Sequence, residues 1–295
     1  MKRNRIDLFS VVNVTLLSLL CITMLYPFWN SMVKSFSSNA EIMRGAVTLL
    51  PKGLNVRAYQ VLFRDSLFYS SLLNSVMIVV VGTSLRLLTS TMAGYAFSKR
   101  GLAGHKVLFM IFLLTMFFNG GIVPTFLVVN NLGLYNNRLA LILLGSMPVY
   151  HMILARSFFA RLPAAIEESA FIDGANYFQI FSKIVLPVSS ALVATLVIFN
   201  SVFLWNMFMP GIIYIQDSSK IPIQVFVRMK VFEVESVNTD PVMAEVLMGS
   251  LDRDAYGSET LKMAVLTVTS LPIVLIYPFF QRHFIKGVTL GAVKS

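Results

Sequence analysis

Three acidic side chains, Glu167, Glu168 and Asp173, fall within seven residues of the segment EESAFIDGANYFQIFSKIVLP, which runs from Glu167 to Pro187. Clustered carboxylates can serve general acid–base chemistry or bind a hard metal ion, but both uses need further donors converging on the same point. No His, Cys or additional acid gathers beside these three, so a catalytic or metal-binding role is not expected, and no cofactor is expected in this chain. The sequence also contains no G-x-x-x-x-G-K-[ST] loop to cradle a phosphate, so the chain is not expected to hydrolyse ATP alone. The one cysteine, Cys21, lies in an apolar run and offers neither an internal disulfide nor a Cys-rich metal site.

With chemistry set aside, the segment reads as a mechanical part. Pro163 suits the first turn of a helix, where the missing N–H is not needed. Ala164 to Ala170 are mostly good helix formers. Ala165, Ser169 and Ile172, or Ile166, Ala170 and Asp173, line up at helical spacing. Small side chains there would let a short helix lie close to another surface. Gly174 is expected to end that helix. A second short helix is expected from Asn176 to Lys183, and Leu186–Pro187 should bend the chain into the next apolar run. The plainer alternative is an interfacial amphipathic helix resting on a bilayer.

The elements that must position this part are membrane spans. Of 295 residues 56% are hydrophobic and 13% charged, with mean hydropathy +0.74. A soluble domain carries roughly twice that share of charge. A span needs about 20 apolar residues. Six such runs are read, near residues 9–28, 72–97, 107–129, 139–159, 184–214 and 261–280. The fifth is too long for one straight crossing. Pro148, Pro210 and Pro272 should kink the runs that hold them. The predicted fold is therefore all-α and polytopic, one transmembrane domain over residues 1–295 with the polar loop 162–187 inside it. The N-terminal run is too long for a signal peptide and is read as a retained span.

The net charge of +10 does not point to nucleic acid, because no basic stripe with interleaved aromatics occurs. Lys and Arg instead flank the spans. Lys2, Arg3, Arg5, Lys99, Arg100, Lys106, Arg156, Arg161, Lys183, Arg282, Lys286 and Lys294 crowd into short loops and tails on one side. Their density places both termini and the Glu167–Pro187 loop in the cytoplasm. The opposite side carries two longer loops, near 34–70 and 216–259.

The loop resembles the "EAA" coupling loop of ABC-importer permeases, whose pattern is E-A-A, three residues, G, nine residues, I-x-L-P. Glu168, Ser169 and Ala170 fill the triplet, with Ser for the first Ala; Gly174 follows, then Ile184, Leu186 and Pro187 at the expected spacing. Other segments are similar to the carbohydrate subgroup, including maltose-type inner permeases, in a form typical of Gram-positive bacteria: AGYAFSKRGLAGHK, FNGGIVPTFLVVNNLGLYNNRLALIL, FNSVFLWNMFMPGIIYI with KIPIQVFVR, and the tail QRHFIKGVTLGAVKS. The likeness covers roughly residues 74–295. It implies the type I importer permease fold, six helices with a cytoplasmic coupling helix, in the plasma membrane of a bacterium. It also implies partners: a second permease chain, an ATPase dimer that holds ATP and Mg, and an extracellular lipid-anchored binding protein that delivers a sugar. Glu167, Glu168, Ser169, Ala170, Asp173, Gly174, Ile184, Leu186 and Pro187 would then be the coupling residues.

Polar groups within the spans are the handle on a substrate path. Asn200, Trp205 and Asn206 on the fifth run offer amides and a ring suited to a sugar. Asn200 is expected to line the path, with Trp205 and Asn206 nearer an outer gate. Arg86, midway along the second run, either faces the path or snorkels. An importer of a non-sugar solute is the near alternative. A secondary transporter is disfavoured because its spans should carry midplane acids, and a membrane enzyme because no catalytic constellation is visible.

Overall fold

A computed structural model describes the backbone of residues 8–99, 101, 103–118, 120–239 and 259–292, and side chains through 235 and over 259–276. Lys2, Arg3, Arg5, Arg100 and Lys294, used above for orientation, and much of the outer loop 216–259 lie outside the described residues. No strand occurs among the described residues; the chain is all-α, as its apolar runs require when every backbone group must be answered without water.

The helices are α1 (Leu8–Ser35), α2 (Asn39–Met43), α3 (Arg57–Arg64), α4 (Ser66–Ser98), α5 (His105–Phe117), α6 (Ile122–Asn131), α7 (Arg138–Leu143), α8 (Val149–Phe159), α9 (Ala164–Ile172), α10 (Tyr177–Ile180), α11 (Leu186–Val188), α12 (Ser190–Trp205), α13 (Met209–Tyr214), α14 (Ile223–Thr239) and α15 (Glu259–Ala292). Among the described residues α1, α4 and the Glu259–Ile276 part of α15 are each long and apolar enough to cross a bilayer. The third and fifth runs are built as broken pairs, α5 with α6 and α10–α11 with α12. The fourth run, expected as one helix, is two short ones separated by residues 144–148.

Two compact units divide the chain. One comprises the residues up to Phe68 and Val227–Leu271. Within it the Tyr59 and Phe36 rings stack at 4.8 Å, and Tyr59 and Ser35 share a hydroxyl hydrogen bond of 2.6 Å. Lys230 bridges Asp65 at 3.1 Å and Glu233 at 3.0 Å. Thr260 Oγ1 donates to Ser37 O, 3.1 Å away. In this unit α1 keeps almost every side chain exposed, as suits a helix facing lipid or another chain.

The second unit comprises Tyr69–Phe226 with the residues from Pro272 onward. Its helices approach through small residues, the usual way to close-pack helices in a membrane. A Cβ on Gly94 of α4 would lie 2.6 Å from Ala155 Cβ and 2.9 Å from Arg156 N of α8, so α4 and α8 touch backbone to backbone only because this residue is Gly. Pro148 stands at the N-cap of α8 instead of kinking a helix interior, and Pro210 lies in the first turn of α13. Asn74 and Ser75, on the second unit's part of α4, bind the 219–223 turn: Asn74 Nδ2 donates to Ser219 O and Ile221 O at 2.9 and 3.0 Å, and Ser75 Oγ accepts from Ile223 N at 2.7 Å.

The break in the fourth run frees backbone carbonyls inside the unit, and α4 answers them. Arg86 Nη2 donates to Leu144 O at 2.9 Å, at the C-cap of α7, where a cation also meets the negative end of the helix dipole. Thr89 Oγ1 donates to Ser146 O at 2.7 Å. Arg86 is buried, with its guanidinium 4.5 Å from the centre of the Phe203 ring. Arg86→Met would leave Leu144 O unanswered, so it should lower the thermal stability of the detergent-solubilised chain by about 1–3 kcal/mol, with Arg86→Lys recovering part. A melt at or above the wild-type temperature would mean that burying the charge costs more than capping the carbonyl returns.

Candidate functional site

The polar loop folds as expected in outline and differs in three details. Pro163 is the N-cap of α9, and α9 ends at Ile172, just before Gly174. Gly174 has φ +81°, and a Cβ there would meet nothing within 4 Å. The glycine is therefore required by the left-handed turn and not by crowding. Asn176 caps α10 in a reciprocal box: Gln179 N donates to Asn176 Oδ1, and Asn176 N donates to Gln179 Oε1, each at 2.9 Å.

The second helix does not stop at Lys183. It continues through a π-helical turn, Phe181–Val185, into α11. A π turn accommodates Pro187, which cannot donate to the preceding turn. The expected bend at Leu186–Pro187 is consequently displaced: both residues are helical, and the chain turns by 84° between Tyr177–Val188 and Ser190–Trp205, at Ser189.

The two faces of this knob differ in chemistry. One face joins the core of the second unit. Ala170, Ile180, Phe181 and Val185 are buried with Tyr95 of α4, Ala155 and Phe159 of α8, and Leu192 and Leu196 of α12, and Ile184 and Leu186 pack against that cluster. Tyr95 is its hub, 6.0 Å from the Phe159 ring and 5.4 Å from the Phe181 ring. Its ring also lies 4.6 Å from Lys99 Nζ, and Lys99 forms an ion pair with Glu167 on α9. Below α4 the Phe97 carbonyl accepts from Arg156 Nε at 3.0 Å and lies 2.9 Å from His105 Nε2.

The other face is open. Glu168, Ser169, Asp173, Gly174 and Pro187 are exposed. So are four large apolar side chains: Phe171, Ile172 at 86%, Tyr177 at 64% and Phe178 at 65%. Phe171 and Tyr177 meet edge to face at 4.9 Å across the Gly174 turn, a contact that ties the two helices together at the tip. Of the two rows offered by the sequence, Ala165, Ser169 and Ile172 lie on the exposed side, whereas Ala170 of the second row is buried. Bulky side chains are presented outward beside the small ones. Helical spacing held the signal, because Ile172 falls about 200° around α9 from the buried Ala170 and Phe171 about 100°.

The nine loop residues are thus brought into one knob, with Glu167, Ala170, Ile184 and Leu186 on its inner side. The four expected in a substrate path separate. Asn200 is 0% exposed, and its Nδ2 donates to Leu196 O, 2.8 Å away on its own helix. Trp205 and Arg86 are buried too. Only Asn206, the C-cap of α12, is exposed. Of the two amides, Asn206 and not Asn200 is open at the surface of this chain. Arg86 does not snorkel; its head is held inside the protein by Leu144 O and the Phe203 ring.

Because strain and not space makes Gly174 necessary, substitutions should rank by their tolerance of positive φ. Gly174→Ala should loosen the knob by about 1–2 kcal/mol, raising amide hydrogen exchange across residues 171–180 about 5- to 30-fold, with Gly174→Asn milder. Equal exchange in both variants and in the wild type would remove the turn from the account.

Residues 70–290 match the family described as binding-protein-dependent transport system inner membrane component. The chain is 38% identical to the polygalacturonan/rhamnogalacturonan transport system permease protein YtcP of Bacillus subtilis, over the whole of both chains. It is 34% identical to Protein LplC of the same organism, over 97% of this chain and 95% of that one. In three dimensions it is similar to a chain of a bacterial ABC transporter involved in the import of the acidic polysaccharide alginate, with a TM-score of 0.82 and 30% identity, over 96% of this chain and 99% of the other. With its apolar helices and the matched residues, the chain is a multi-pass membrane protein that belongs to the binding-protein-dependent transport system inner membrane components.

Proposed function

We infer that this chain is the permease of an ATP-driven importer of sugars or oligosaccharides, working with a separate ATPase and a solute-binding protein. In this reading a second permease chain completes the translocation path, and both termini are cytoplasmic. Uronic-acid oligosaccharides are the first substrates to consider, since relatives named for polygalacturonan/rhamnogalacturonan and for alginate transport stand out among those it resembles.

The observation that carries the reading is the two-faced knob. An exposed patch of Phe171, Ile172, Tyr177 and Phe178 on a rigid stem is costly to leave in water and suits insertion into a groove of a partner. The stem runs through the π turn and α11 into α12, so a partner that pulls the tip also moves the fifth run. Glu168 and Asp173 on the rim would orient the contact. Asn206 at the mouth of α12 is the amide best placed to meet a passing sugar.

Ile172→Asp and Phe178→Asp should each weaken co-purification of the ATPase at least about tenfold, since burying one such side chain is worth roughly 1.5–3 kcal/mol, while the chain still inserts in the membrane. The assembled complex in proteoliposomes should take up a labelled oligogalacturonide in an ATP-dependent manner. Undiminished ATPase capture by both variants would overturn the docking face. ATP-driven uptake of a non-sugar solute, with no oligosaccharide uptake, would overturn the substrate class.

A further inference from the structure

The knob is joined to the second unit in more than one way. Its covalent exit into α12 passes through the 84° bend at Ser189. A second, non-covalent link bypasses that joint. Glu167, on the inner side of α9, reaches Lys99 just beyond the end of α4, a pairing across 68 positions of sequence. Lys99 is further held by the Tyr95 ring at 4.6 Å, and Tyr95 is wedged between Phe159 and Phe181. Glu167 is mostly shielded from water, at 14% side-chain exposure, so the pair is screened less than a surface ion pair.

What the middle of α4 holds gives the link its consequence. The helix is continuous for 33 residues. Arg86 and Thr89 hold the broken fourth run, and Thr83 shares a hydroxyl hydrogen bond of 3.3 Å with Ser201 of α12. A displacement of α9 conveyed to α4 therefore reaches the fourth and fifth runs together.

We propose that Lys99 and Glu167 are positioning residues that form a coupling clasp: they convey movement of the knob to α4, in parallel with the covalent route through Ser189. The inference rests on the docking reading above, and the clasp acts downstream of docking. Losing it should leave the ATPase bound and hydrolysing while uncoupling hydrolysis from transport.

The test uses the whole complex, reconstituted with its second permease, ATPase and binding protein, and a labelled oligogalacturonide as the solute. Lys99→Gln, Glu167→Gln and the exchanged pair Lys99→Glu/Glu167→Lys are compared. Each single variant should keep ATPase co-purification and stimulated hydrolysis near wild type, while solute taken up per ATP falls about fivefold, the upper range for a partly exposed ion pair. The exchanged pair should recover to within about twofold of wild type, a non-additivity expected only if the two side chains act on each other. Unchanged solute per ATP in the single variants would overturn the clasp, as would an exchanged pair no better than either single. Loss of ATPase co-purification in the single variants would also overturn it, by placing the pair in docking itself. Failure of the wild-type chain to capture an ATPase would bring down the functional reading instead.

Discussion

A backbone carbonyl freed inside a membrane protein has to be answered by the protein, because lipid offers no donor. Much of this structure follows from that constraint. The fourth apolar run is interrupted, so two side chains of α4 are committed to its carbonyls, Arg86 to Leu144 and Thr89 to Ser146. To bring them within reach α4 must lie very close to that run, and Gly94 permits it by removing the Cβ that would strike Ala155 and the α8 backbone. The long, unbroken α4 is thereby the member against which the broken segments of the second unit are registered.

The same closeness shapes the knob. Because α4 and α8 touch at Gly94, Tyr95 on the next position is pressed into the junction of α8, the π turn and α9, where it meets Phe159, Phe181 and Lys99. A core of this kind fixes the inner face of the knob and leaves the outer face to whatever it meets. The open left-handed turn at Gly174 lets Phe171 and Tyr177 close over each other at the exposed tip.

Several sequence readings failed in the same physical way. Pro148 and Pro187 each signalled a disturbance of a helix, but the disturbance was resolved elsewhere. Pro148 begins a new helix after a five-residue break, and Pro187 is absorbed by a π turn, with the bend following at Ser189. A proline announces that one hydrogen bond is missing; neighbouring segments decide where the backbone bends in response. Asn200 shows the same influence of neighbours. An amide in an apolar run invites a functional reading, yet here it is buried and bonded to its own helix, and the exposed amide is Asn206 at the helix end.

By itself the sequence determined the class of the protein, the positions of its apolar runs and the short helices about Gly174, since these depend on local hydrophobicity, proline, glycine and capping residues. It also held the loop spacing by which the family is recognised. The tertiary structure alone decided which residues meet across distance. The Lys99–Glu167 pair, Arg86 on Leu144 and Tyr95 between two phenylalanines depend on helices packing at one particular depth and rotation. It also decided which faces of the spanning helices are buried, because a nearly uniform apolar composition carries little amphipathic signal: where almost every residue is hydrophobic, burial is settled by neighbours and not by residue type.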